Sequence, residues 1–142
     1  MFEHILVPTD GSELSGRAID LALRLAKAVG ARVSGVNVIV QSSSIAHGLG
    51  ESIVPMHDNS KQAAEAFLKQ FVERASKSRV PHDAFHVTGE AAWEEIVRVA
   101  ADRKCDLICM ASHGRRGLGA VLLGSETVKV LTYSKVPVLV SR

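Results

Sequence analysis

The chain of 142 residues is one domain's worth of polypeptide, long enough to bury a core without disulfides or a structural metal. Hydrophobic residues make up 46% and charged residues 23%, and no apolar run reaches membrane-spanning length; this excludes a disordered chain, a collagen-like repeat, a small disulfide scaffold and a membrane-spanning protein. A net charge of only +2 and an aromatic content of 4% speak against a nucleic-acid surface, although the basic excess of the C-terminal half suits a small anion.

His4-Ile5-Leu6-Val7-Pro8 is a compact apolar run closed by proline and predicts the first strand. From Ser12 to Val29, residues Ala18, Ala22, Leu25, Ala26 and Val29 recur on one helix face, and Gly30 supplies a stop. Arg32 to Val40 is valine-rich and predicts a second strand. Gln41 to Asn59, with Ser42-Ser43-Ser44, two glycines and Pro55, reads as a long loop, either a lid or a segment with order of its own. Ser60 to Arg79 is helical through Ala64, Phe67, Leu68, Phe71 and Ala75, with Asn59 and Gln62 at capping distance. Pro81 ends that helix, and His82 to Thr88 predicts a third strand. Trp93, Ile96, Val97, Ala100 and Ala101 mark a third helix, and Leu107 to Ala111 is apolar throughout, as a central parallel strand is. Ser112 to Leu123 is glycine-rich, Ser125 to Ser134 predicts a fourth helix, and Val136-Pro137-Val138-Leu139-Val140 a last strand.

Strict alternation of strand and helix predicts an α/β fold: one Rossmann-like three-layer sandwich over residues 1–142, a parallel sheet between two layers of helices. Ligands of such sheets lie beyond the carboxyl ends of the strands, where the strand order reverses. Cys105 and Cys109, placed along one strand, would be about 13 Å apart. A disulfide needs less than about 7 Å, so both are read as packing thiols of a reducing, cytoplasmic protein. Met1-Phe2-Glu3-His4 has no secretory character.

The segment from Ser112 to Ser125 follows a buried strand and leads into a helix. Its glycines bring main-chain N–H groups to an anion, and the helix start adds donors that have no intrahelical partner. Read as structure alone, it is a glycine-rich turn with a Ser125 cap. No Gly-Lys pair exists for a Walker loop, the third glycine of a dinucleotide fingerprint would fall on Leu122, and no nucleophile elbow occurs. Asp10, after Pro8-Thr9, is three residues before Glu13, so it either caps the first helix or faces a ribose or metal. His82 and His86 fall on a strand, too far apart for one zinc ion. His47 and His57 read as solvated, His113 as bonded to a phosphate or to its own loop, and Trp93 as core.

Residues 4–12, the strand around Val36-Asn37-Val38, Met110 to Ser125 and the final Val136 to Val140 together resemble the universal stress protein family, over essentially the whole chain. Its nucleotide-binding members carry Gly-x2-Gly-x9-Gly-Ser/Thr. Gly114, nine residues, and Gly124-Ser125 keep that spacing, with Ala111 in the first glycine's place. The resemblance implies a five-stranded sheet of order 3-2-1-4-5 with four helices, a bound ATP or AMP with or without Mg2+, and a homodimer. It implies that Pro8, Thr9 and Asp10 lie beside the adenosine, that the Val38 main chain reads adenine, and that Met110 and Ala111 flank the ribose. Gly114, Gly124, Ser125, Glu126 and Thr127 match the phosphate positions. Arg115 and Arg116 fall in the spacer, either as phosphate or partner contacts or as a solvated pair; Arg116 is the candidate contact.

The function expected is an adenine-nucleotide-binding stress-response or regulatory module rather than an enzyme. A slow Mg2+-dependent nucleotide hydrolase using Asp10 is one alternative, and a dimer with an empty pocket is another. The last strand, Val136 to Val140, has no inward charge to blunt pairing and is expected at a sheet edge, paired with the same strand of a second copy, with Pro137 near its start. No nucleic-acid or membrane partner is expected.

Overall fold

The computed structural model describes residues 1–41, 56–114 and 122–142. Among these residues the chain forms β1 (His4–Pro8), α1 (Glu13–Val29), β2 (Arg32–Val40), α2 (Met56–Ser78), β3 (His82–Gly89), α3 (Ala92–Asp102), β4 (Leu107–Ala111), α4 (Ser125–Tyr133) and β5 (Val138–Ser141). All strand pairs are parallel, in the order β3-β2-β1-β4-β5. The fold is therefore the expected α/β sandwich: a five-stranded parallel sheet with four helices.

Side-chain alternation along the strands divides the core into two layers. Ile5, Val7, Val33, Leu107 and Cys109 face α1 and α2, where Ile19, Ala22, Leu23 and Phe71 meet them. Leu6, Val36, Ile108 and Met110 face α3 and α4, against Ile96, Val99, Ala100 and Val130. Phe71 lies on Gly35 so closely that a β-carbon there would come within 2.6 Å of its ring. Both cysteines are buried thiols, and burial pushes each of them up to about 11. Cys105 precedes β4 rather than sharing its strand with Cys109.

Several boundaries differ from the sequence reading. The cap of α1 is Ser12, whose hydroxyl accepts from Ser15 N; Asp10 instead accepts the Ser12 N–H at 2.9 Å. Helix α2 begins at Met56, which puts Asn59 inside its first turn and removes it as a cap. Most of the expected Gln41–Asn59 loop, His47 included, lies outside the described residues. On α3 Val99 is buried together with Ile96 and Ala100, whereas Val97 is half-buried and Ala101 is exposed. The cap of α4 is Gly124, so Ser125 is its first helical residue and not its cap. Strand β5 starts at Val138; Pro137 precedes it and its carbonyl accepts from Ile108 N at 3.0 Å. Arg79 and Lys104, just past α2 and α3, hold left-handed conformations with φ of 57° and 55°, where Gly30 serves the same purpose after α1.

A polar cluster closes the amino end of the sheet. His4, 4% exposed, contacts Ser34 Oγ through Nε2 at 2.7 Å and the Arg103 carbonyl through Nδ1 at 3.2 Å. Ser34 donates to Asp83, which also pairs with Arg103 at 2.5 Å. Burial and then the Arg32 charge lower His4 below its ordinary value. Burial pushes the Asp83 carboxyl up, but the bonds from Ser34 and Arg103 outweigh it and hold Asp83 below its usual range.

Candidate functional site

The strand order reverses between β1 and β4, and a cleft of about 810 Å³ opens there beyond their carboxyl ends. Its size lies within the range of small-molecule sites. One wall is the turn after β1. Pro8 closes the strand. Thr9, 5% exposed, is held through both main-chain groups: its N–H donates to the Val36 carbonyl at 2.9 Å and its carbonyl accepts from Asn37 Nδ2 at 2.7 Å. Its hydroxyl bonds Ser15 Oγ at 2.7 Å. With Asp10 Oδ1 on Ser12 N, the turn is tied to both β2 and α1.

The opposite wall is the passage from β4 to α4. Thr127, 2% exposed, directs its hydroxyl at the carbonyls of Ala111 and Ser112, 3.0 and 3.2 Å away. Gly124 N donates to the Ser112 carbonyl at 2.8 Å, so the two ends of the glycine-rich segment are pinned together. A β-carbon on Gly124 would sit 3.3 Å from Ser112 O and His113 Cα, and one on Gly114 would sit 3.0 Å from Asp10 Oδ2. Both glycines thus permit close backbone approach. Ala111 needs no glycine: it ends β4, and among the described residues Arg79 and Lys104 are the non-glycine positions with positive φ. His113 bonds Ser112 Oγ through Nδ1 at 3.0 Å, which matches the reading of a histidine bonded to its own loop.

Of the residues singled out in the sequence, Pro8, Thr9, Asp10, Val38, Met110, Ala111, Gly114, Gly124, Ser125, Glu126 and Thr127 all line this one cleft. Arg116 and its neighbour Arg115 lie outside the described residues. Sequence reasoning missed Asn37, Glu90, Ala91, Ala92 and Lys129, which also line it. Asn37 carries a signal in hindsight, as a polar side chain inside a buried valine strand. Residues 90–92 directly follow Thr88-Gly89, a strand end to which the parallel-sheet rule points, but no motif marks them as reaching the β1–β4 gap.

Two helices, α3 and α4, present their first turns to the cleft. The N-cap of α3 is Ala91, without a side-chain bond; instead Glu126 Oε2 accepts from Trp93 N at 2.8 Å. The N-cap of α4 is Gly124, and no side chain caps it among the described residues. The first three N–H groups of α4 have no intrahelical acceptor, the arrangement in which a helix start offers donors to an anion. Trp93 is half-buried and stacks on Tyr133, ring centroids 4.7 Å apart, so it belongs to the α3–α4 contact rather than to the deep core. No group of three or more metal-ligating side chains occurs among the described residues, and none of their helices is long and apolar enough to cross a membrane.

Comparison with known proteins agrees with this geometry. The model of the universal stress protein family matches residues 1–142. The chain is 34% identical to the universal stress protein YxiE of Bacillus subtilis, over the full length of both. It superposes on the structure of MJ0577 from Methanocaldococcus jannaschii with a TM-score of 0.83 and 28% identity, covering 99% of this chain and 96% of the other. It superposes on a universal stress protein in complex with cAMP with a TM-score of 0.77 and 25% identity, covering 99% and 97%. On the whole-chain family match and the full-length relative, this chain belongs to the universal stress protein family.

Proposed function

We propose that residues 1–142 form one domain that binds an adenine nucleotide, ATP or AMP, in the β1–β4 cleft and acts as a stress-response or regulatory module. The observation that carries this reading is the start of α4. A helix end without a side-chain cap, reached through Gly124, opens into a cleft of nucleotide size. In this reading Gly114, Gly124, Ser125 and Arg116 hold the phosphates. Thr9 and Asp10 with Met110 and Ala111 hold the ribose, and the Val38 main chain meets the base. The cAMP bound by a related protein supports the ligand class.

A helix end contributes only about 0.3–1 kcal/mol, whereas micromolar affinity needs about 8 kcal/mol. The base and ribose walls must therefore supply most of the binding. Mg2+ would be held chiefly by the phosphates themselves, with Asp10 as the protein carboxylate on that wall.

The same walls argue for a binding protein rather than an efficient hydrolase. The lysine of the cleft, Lys129, comes from α4 and lies 3.9 Å from Glu126. Phosphoryl transfer needs charge placed on the moving group and a positioned nucleophile, and neither is built by these residues. We also propose a cytoplasmic homodimer through β5, which lies at the sheet edge.

Calorimetric titration of the purified protein, freed of co-purifying ligand, with ATP, AMP and an inorganic phosphate control tests the reading. Micromolar binding of an adenine nucleotide with none for phosphate is expected. No heat up to millimolar nucleotide overturns it.

A further inference from the structure

The sequence resemblance implies a phosphate position for Glu126, yet its carboxylate is turned to another partner. Helix α3 starts on Ala91, whose side chain cannot cap, and its first internal bond, Glu95 N to Ala91 O, is a long 3.4 Å. The N–H groups of Ala92, Trp93 and Glu94 have no acceptor within the helix. Glu126, one residue into α4, fills that role from outside: Oε2 takes the Trp93 N–H at 2.8 Å, and Oε1 lies 3.9 Å from Lys129 Nζ. A carboxylate at this place is doubly favoured, as a charged acceptor and by the positive end of the α3 dipole.

Trp93 is thereby held to α4 at two points. Its main chain is tied to the first turn and its ring lies on Tyr133 in the last, at 28° between planes. Ala91 and Ala92 on one side, and Ser125 and Thr127 on the other, are cleft lining. The bond from Glu126 to Trp93 therefore spans from one lining helix start to the other and fixes the gap between them.

We infer that Glu126 is a positioning residue: it straps the start of α3 to the start of α4 and sets the width of the cleft, and it does not contact the phosphates. The part of this inference that concerns affinity rests on the nucleotide reading above. A carboxylate that met phosphate directly would repel it or work through a cation, so its effect would follow its charge. A strap works through an acceptor oxygen, which an amide also offers.

Glu126→Gln and Glu126→Ala separate the two. The measurements are ATP affinity by calorimetry and hydrogen exchange of the Trp93 main-chain amide in the ligand-free protein. For Glu126→Ala the expected results are at least fivefold weaker ATP binding and at least tenfold faster Trp93 exchange, with the amides late in α3 unchanged. For Glu126→Gln, which keeps the acceptor and loses only the charge, both changes are smaller than half the fold-change seen in Glu126→Ala. Loss of affinity in Glu126→Gln equal to that in Glu126→Ala, or a Trp93 amide that exchanges no faster in Glu126→Ala, overturns the strap. If wild-type protein binds no ATP, the nucleotide reading falls, and Trp93 exchange in the two variants still decides the strap.

Discussion

The side-chain amide of Asn37 donates to the main-chain carbonyl of Thr9 at 2.7 Å, one residue beyond the point where β1 stops pairing with β2. The main-chain ladder makes its last bond from Thr9 N to the Val36 carbonyl; the Asn37 side chain takes the acceptor beyond it and holds the turn that leads to Asp10. Asn37→Ala leaves the Thr9 carbonyl without that donor in a buried place, which costs about 1–3 kcal/mol. The expected outcome is a lower urea midpoint with an unchanged slope, together with weaker ATP binding. An unchanged midpoint would show that Asn37 does not anchor the turn.

Gly124 admits no β-carbon without pressure on Ser112 and His113. Gly124→Val should raise the ATP dissociation constant at least tenfold, about 1.4 kcal/mol, while the melting curve stays cooperative. Wild-type affinity in a folded variant would remove the start of α4 from the site.

Turnover of ATP with Mg2+ should fall far below the ~10 s⁻¹ typical of enzymes. A steady-state rate that reaches that level and is lost in Asp10→Ala would reassign the protein as a hydrolase.

Pro137 and Ser141 turn their carbonyls to β4, accepting from Ile108 N and Ser112 N at 3.0 and 2.8 Å. By strand alternation the main-chain groups of Val138 and Val140 lie on the outer edge. Val140→Pro removes an outward donor and no bond to β4. If copies pair through this edge, light scattering at micromolar concentration should give a dimer for wild type and a monomer for the variant. Lysine at Val138 or Leu139 should weaken the pair as well. A monomeric wild type would refute the dimer.

His4 titrates against Arg32, Arg103, Asp83 and the neighbouring Cys105. Its value in the folded protein lies below 6.5, lowered by burial first and by Arg32 next. The unfolded chain therefore binds the proton more tightly. Stability from His4 is complete above about 6.5 and is lost as pH falls through its lower folded value. Asp83, also lowered, adds a further loss only at pH near and below 3.8. Urea midpoints measured from pH 7.5 to 5 should decline in wild type and stay flatter in His4→Asn. Equal slopes would assign the decline to other groups.

Much of the fold was legible because strands and helices alternate with different apolar periods, and a parallel sheet is the arrangement that accommodates them. Leu107 to Ala111 shows this most plainly, since its run of apolar residues matches β4 residue for residue. Boundaries were harder to read wherever the cap is not a side chain. Gly124 caps α4 with none, and Ala91 borrows the carboxylate of Glu126. The turns after α2 and α3 were also hidden, because Arg79 and Lys104 occupy left-handed positions where glycine would have marked the stop. The two walls contributed by β1 and β4 could be found from motifs. The third, at Glu90 to Ala92, depends on β3 lying two strands away from β1, which no local pattern encodes.

The central place of β1 has a consequence for synthesis on the ribosome. Residues 4–8 pair with residues 32–36 on one side and, through Ile5 and Leu6, with Leu107 and Ile108 on the other. The first partner leaves the exit tunnel early. The second follows some seventy residues later, on the order of ten seconds at ordinary elongation rates. Throughout that interval the nascent sheet, β1 with β2 and later with β3 as well, carries a bare apolar edge at Ile5 and Leu6. Chaperone capture and misassembly between neighbouring nascent chains should concentrate in that window, and they should end when β4 docks.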